Sequence, residues 1–181
     1  MLQHAEDRIW VEVYILSEKS IIAELVNARE RGVDVRVILE RNVYGMPYMN
    51  NTVFQTLHDA DIPIVWANNG FFTFTHAKFI LIDSVFIIST GNLSASTFSK
   101  NREFLIVSKN EADLAILASV FQADFERKKI FPESSVLVFS PTDARTKILA
   151  FLDATDTSLD MSMQSLTDPE ILERLRFLAE K

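Results

Sequence analysis

The chain reads as an α/β protein, a mixed sheet flanked by helices on both faces, and three observations lead there. Residues 8–16 and 33–39 each place apolar side chains at every second position, the period of a strand. Between them Ile21, Ile22, Leu25 and Val26 recur at helical spacing, and the pattern stops at Gly32. Phe79-Ile80-Leu81-Ile82 is a short unbroken apolar run, the mark of a central strand covered on both sides.

Taken in order, Ile9, Val11, Val13 and Ile15 share one face of the first strand, with Trp10, Glu12 and Tyr14 on the other. Ser17 is placed to cap the helix that follows, which runs to Arg29-Glu30-Arg31. Val33, Val35, Val37 and Leu39 form the second strand, and a strand, helix and strand in succession imply a right-handed crossover and a parallel pair. Arg41 to Tyr48, with Gly45 and Pro47, is an irregular loop directly after a strand end, where α/β folds place ligands. Asn50 or Asn51 caps a helix bearing Val53, Phe54 and Leu57. Ile62 to Trp66 is a strand that Pro63 assigns to an edge or a strand start. Phe71, Phe72 and Phe74 are expected in the core. Glu103 to Val107 closes the sheet, and Asn110 caps a helix carrying Leu114, Ile116, Leu117, Val120, Phe121 and Phe125.

Composition bounds the function. A chain of 181 residues, 48% hydrophobic and 24% charged, is long enough for one good core. A net charge of −7 provides no general basic field and argues against a non-specific nucleic-acid binder, while leaving room for a locally basic cleft. The absence of cysteine removes disulfide frameworks and thiolate metal sites. No run approaches the roughly 18 apolar residues of a membrane span, and Met1-Leu2-Gln3-His4 begins no signal peptide. The compartment stays open, including membrane association or export of a longer parent chain.

The chemistry concentrates in Thr75-His76-Ala77-Lys78-Phe79-Ile80-Leu81-Ile82-Asp83, then Ser89-Thr90-Gly91-Asn92, then Asn101-Arg102-Glu103. His76 and Lys78, two residues apart, leave the same face if the segment is a strand. An imidazole and an ammonium projecting together from a rigid apolar element suit a phosphate, and Asn92 adds an amide donor from the neighbouring strand end. With those donors no metal and no cofactor is required.

The pattern H-x-K-x4-D at His76, Lys78 and Asp83, with a hydroxyl and an asparagine following at Thr90 and Asn92, resembles the signature of the phospholipase D superfamily. One departure stands out. Aligning Asn92 puts Ser89 where the family usually has glycine and shortens the hairpin after Asp83 by one residue. The resemblance implies a phospholipase D/nuclease-like fold and a two-step displacement through a phosphohistidine without metal. One histidine attacks phosphorus and a second protonates the leaving oxygen. His76, Lys78, Asn92 and Glu103 are the implied catalytic set, with Lys78 and Asn92 holding the non-bridging oxygens and Glu103 fixing the His76 tautomer. Asp83, Ser89 and Thr90 are implied supports, Asp83 as a structural partner.

A second feature is an internal repeat. Residues 158–172 lay without gaps onto residues 8–22 at an offset of 150, with Leu166 on Leu16, Ile171 on Ile21 and Glu180 on Glu30. The expected organisation is a first repeat over 1–130 lacking its opening strand and helix, a linker at 131–135, and the beginning of a second repeat over 136–181. That second repeat contributes strands at 136–139 and 158–166 and a helix from Thr142 to Ala154, and carries no H-x-K-x4-D of its own. His4 and His58 lie outside any motif. In the resembled family the second catalytic motif comes from another repeat or from a homodimer partner, and the leading expectation is a phosphodiesterase or phosphatidyltransferase acting on phospholipid. An endonuclease of the same superfamily, favoured by a basic rim of Arg41, Lys100 and Arg102, and a catalytically silent half-site serving assembly are the alternatives.

Overall fold

The computed structural model describes residues 1–180. The chain divides into two compact units, Met1–Ile130 and a second beginning at Phe131. In the first unit a six-stranded mixed sheet runs β3-β2-β1-β4-β5-β6. Its strands are β1 (Arg8–Val13), β2 (Asp34–Leu39), β3 (Ile64–Trp66), β4 (Lys78–Ile82), β5 (Val85–Ser89) and β6 (Leu105–Ser108). β1, β2 and β3 pair in parallel, whereas β4, β5 and β6 pair antiparallel.

Alternation in β1 decides which layer packs where. Ile9, Val11 and Val13 join Leu25 and Ala28 of α1 (Lys19–Glu30) and Val53 and Leu57 of α2 (Asn51–Asp59) in one apolar core. After the short α3 (Ala95–Ser99) comes α4 (Glu111–Phe125), on whose Phe121 Trp10, on the opposite face, stacks at 5.1 Å; Phe121 also meets Phe79 edge-on. Helices therefore cover both faces, as the alternation predicts. α1 ends at Gly32, whose φ of +93° suits a residue without Cβ. β3 is an edge strand, and the Pro63 carbonyl accepts from Val37 at its start.

Several boundaries differ from expectation. β1 ends at Val13, and Leu16 forms only an isolated bridge to Leu93. Glu18, not Ser17, caps α1, its carboxylate accepting from the Ser20 amide. Asn50 occupies the cap position of α2 but makes no cap bond, because its buried amide is spent elsewhere. Strand β6 begins two residues later than the alternation suggested.

The second unit contains α5 (Ala144–Asp153) and α6 (Pro169–Ala179), tied by ion pairs of Arg145 with Asp168 and Glu170 and of Arg174 with Asp153. At the offset of 150, α6 falls on α1, and Asp168 caps it from the position equivalent to Glu18. The strands expected at 136–139 and 158–166 are irregular. A helix satisfies its own amides, whereas a strand needs neighbours; β1 has β2 and β4 beside it, and among the described residues of the second unit no strand forms.

Candidate active site

The candidate residues meet where the parallel strands β1 and β2 end and β4 begins. Lys78 is the first residue of β4 and pairs with Val13, the last of β1. His76 precedes the strand rather than lying on it, in an irregular segment, and its side chain still meets that of Lys78. The Lys78 ammonium lies 3.2 Å from the His76 ring nitrogens and donates to the His76 carbonyl at 2.8 Å. Tyr14 packs edge-on against the His76 ring at 4.6 Å, with the Lys78 ammonium 5.6 Å above its own ring.

Burial has an electrostatic consequence. Lys78 is 9% exposed. Desolvation pulls its pKa down to about 8, and nearby Glu103 partly opposes that fall. Burial and the neighbouring Lys78 charge also hold His76 below the usual histidine value. The imidazole is thus neutral near pH 7 beside an ammonium that still carries its proton, a pairing of nucleophile and anion-holding donor.

Asn92 is brought to the same end by the backbone. The Leu93 amide donates to Ile15, and the Leu93 carbonyl accepts from Ser17 and Glu18, tying the turn after β5 to the end of β1. The amide oxygen of Asn92 is buried with no hydrogen-bond partner, so this side chain is uncommitted to the fold. Ser89 accepts from the Gly91 amide at 3.0 Å and shapes that turn. Thr90 donates to Glu103 at 2.7 Å and accepts from the Phe104 amide. Gly91 is required by proximity: a Cβ there would stand 2.6 Å from Thr97 and 2.8 Å from the Glu103 side chain.

Glu103 and Asp83 differ in how they reach the site. The carboxylate of Glu103 accepts from Thr90 and Asn101, and among the described residues it makes no hydrogen bond to His76; its reach to the site is the field it exerts on Lys78. Asp83 lies at the far end of β4, roughly 23 Å along an extended chain from His76. There it takes a φ of +49° in the turn to β5 and accepts from the backbone amides of Glu6, Asp7 and Arg8 at 2.9–3.2 Å. Partial burial pushes its pKa up, but those three amides hold it below the usual carboxylate value.

Glu40, which the sequence reading did not single out, is fully buried at the end of β2. Its carboxylate accepts from Thr75 at 2.8 Å, immediately before His76, and also from Asn42 and Asn69. Asn50 completes the anchor by donating to the carbonyls of Glu40 and Tyr14 and accepting from Leu16. The only signal available beforehand was an acid closing a strand of Val and Ile. Phe71 and Phe74, expected in the core, are instead exposed on the loop that Glu40 holds. His4, His58, Arg41, Lys100 and Arg102 are exposed.

A cavity of about 360 Å³ opens along the same face of β4, starting at Lys78 and Ser89 and lined by Ile80, Ile82, Ile87 and Phe98.

Residues 1–128 match the family described as cardiolipin synthase, PLD-like domain. The chain belongs to this family. It is 26% identical over 153 residues to cardiolipin synthase A of Pseudomonas aeruginosa, covering 81% of this chain and 28% of that protein. It is 29% identical over 112 residues to a phospholipase D of Rickettsia conorii, covering 61% of this chain and 53% of that one. The chain thus spans between about a quarter and a half of these relatives. The fold is that of a phospholipase D family member, Nuc, from Salmonella typhimurium, with a TM-score of 0.63 and 19% identity over 73% of this chain and 86% of the other. NucT from Helicobacter pylori aligns with a TM-score of 0.55 and 18% identity, covering 69% and 82%. No helix is long and apolar enough to cross a membrane among the described residues.

Proposed function

We propose that this chain carries the histidine half of a phospholipase D-like phosphodiesterase or phosphatidyltransferase site whose substrate is a phospholipid. The observation that carries the reading is the His76–Lys78 pair, a neutral imidazole 3.2 Å from a desolvated ammonium. The imidazole attacks phosphorus, the P–O bond to the leaving alcohol breaks, and a phosphohistidine forms. Water or a second alcohol then attacks that intermediate and restores His76. Lys78 and the Nδ2 amide of Asn92 donate to the non-bridging oxygens, doing the charge stabilisation that a metal would otherwise supply.

An apolar cavity starting at Lys78 supports a lipid over a nucleic acid, since an acyl chain has a place to lie beside the phosphate. The names of the matched relatives, cardiolipin synthase A and phospholipase D, support the same class. The acid for the leaving alcohol is a second histidine from outside this half, from a further repeat or a second copy. His4 and His58 belong to no motif of this kind. Residues 1–130 then form one repeat and 136–181 open the next, a division supported by the correspondence of α6 with α1.

The test is turnover of bis(p-nitrophenyl) phosphate in EDTA by the chain and by His76→Ala, with native mass recorded, followed by phosphatidylglycerol micelles and single-stranded DNA as competing substrates. Metal-independent turnover lost in the variant, with release from lipid and not from DNA, supports the reading. Cleavage of DNA alone would move it to an endonuclease, and no turnover from a folded monomer or dimer to a silent assembly module.

A further inference from the structure

Around His76 two loops, residues 41–49 and 67–77, contain no Asp or Glu, although the whole chain has 25 such residues and a net charge of −7. Their one formal charge besides the histidine is Arg41. The same loops expose Tyr44 (83%), Tyr48 (77%), Met46, Met49, Phe71 and Phe74. Six exposed large apolar side chains on two short loops, with Tyr44 against Phe74 across them, depart from the scattered exposure of an ordinary surface.

These loops are not slack. Tyr14 and Val43 pack together with Ile15, and the Tyr14 hydroxyl accepts from the Tyr44 amide at 2.6 Å. Glu40 holds the other loop through Asn69 and Thr75. Rings continue from the site to the surface: Tyr14 touches His76 at 4.6 Å, Phe74 touches Tyr14 at 6.2 Å, and Tyr44 touches Phe74 at 6.5 Å. The chain therefore orders a base and leaves its apolar tips in water.

We propose that this rim is a membrane-docking surface that seats the His76 site on an anionic phospholipid bilayer. Tyr and Met side chains suit the headgroup boundary, where a ring is half solvated and a thioether adapts. A carboxylate-free rim bearing Arg41 is the part of an acidic molecule that an anionic lipid surface does not repel. A nucleic-acid strand fits these two loops less well, since stacking grooves for single strands track the backbone with several cations and the loops carry Arg41 alone, Lys100 and Arg102 lying on another segment. The inference rests on the phospholipid reading and extends it from the reacting phosphate to the surface that presents it.

The test separates docking from chemistry by using His76→Ala protein throughout the binding arm. Sedimentation with vesicles of phosphatidylcholine and phosphatidylglycerol is measured for that protein with and without Tyr44→Ser, Tyr48→Ser and Phe71→Ser. A loss of partitioning on the order of tenfold or more is expected. In an otherwise native chain the same three changes are expected to leave bis(p-nitrophenyl) phosphate turnover and far-UV circular dichroism unchanged. Tyr48→Trp is expected to shift to shorter emission wavelength on vesicles and to be quenched by lipids brominated in the upper acyl chain. Unchanged partitioning in the triple variant, no quenching, or a triple-variant defect seen on oligothymidine and not on vesicles would each overturn the proposal. Failure of the chemistry with vesicle binding intact would overturn the phosphodiesterase reading alone.

Discussion

Lys78 makes a sharp prediction about pH. It is 9% exposed and donates to the His76 carbonyl, and its pKa falls from 10.5 to about 8. If its ammonium holds the phosphate, kcat/KM for a soluble diester must fall as that proton leaves. With a pKa of about 8, about a tenth of the chains remain charged at pH 9 and about a hundredth at pH 10, so the rate falls about tenfold and then about a hundredfold. An ordinary lysine would lose only a few per cent by pH 9. The acid limb lies below the usual histidine value, because His76 is held down. Titration of Lys78 does not itself unfold the chain in alkali. The unfolded chain binds more protons than the folded one between about pH 8 and 10.5, so this group makes stability rise across the window where activity falls. Lys78→Arg, which stays protonated, is expected to abolish the alkaline limb of whatever rate remains. The assay is initial rate on bis(p-nitrophenyl) phosphate at constant ionic strength, with the Lys78 side-chain resonance titrated in parallel. A rate flat through pH 9, or a limb unmoved by Lys78→Arg, would refute the assignment.

Other consequences follow from the anchors. Glu40→Gln keeps an acceptor for Thr75 but loses charge-assisted bonds to three donors, and is expected to lower kcat with KM little changed; Glu40→Ala is expected to cost about 2–4 kcal/mol in denaturant melts as well, since buried amides lose their partner. Asp83→Ala is expected to lower stability by about 1–3 kcal/mol while turnover per folded molecule is retained, because Asp83 serves the Glu6–Arg8 amides far from His76. Its depressed pKa adds a stabilisation that is complete above the unfolded value near 3.9 and is lost as pH falls through the lower folded value, so the acid-melt midpoint of Asp83→Ala should depend less on pH there. Gly91→Ala forces the Glu103 and Thr97 side chains aside; a loss of about 1–3 kcal/mol with a shifted alkaline limb is expected, since Glu103 supports the Lys78 charge.

Much of the first unit was legible because its sequence signals and its structure share a cause. Ile9, Val11 and Val13 alternate because they face α1 and α2, and Gly32 stops α1 because the chain there needs positive φ. Phe79 to Ile82 is continuous because β4 is buried on both faces. The His76–Lys78 juxtaposition was legible from spacing, though not the position of His76 just outside β4. What remained hidden depends on partners remote in sequence. Glu40 is a lone acid until Thr75 and Asn69 arrive from a loop some thirty residues on. Phe71 and Phe74 resemble core residues because hydrophobicity does not say whether a loop tip finds a cover. Residues 158–166 carry the pattern of β1, but pattern alone makes no ladder without adjacent strands.

The central claim is that His76 attacks phosphorus. The direct measurement is intact-protein mass after rapid quench at alkaline pH during turnover of bis(p-nitrophenyl) phosphate in EDTA. This substrate leaves as a stable phenolate and so needs no second histidine. An acid-labile adduct of one p-nitrophenyl phosphoryl group is expected, mapped to His76 by fragmentation and absent from His76→Ala. Steady turnover with no adduct on His76, or turnover that survives His76→Ala, would contradict it.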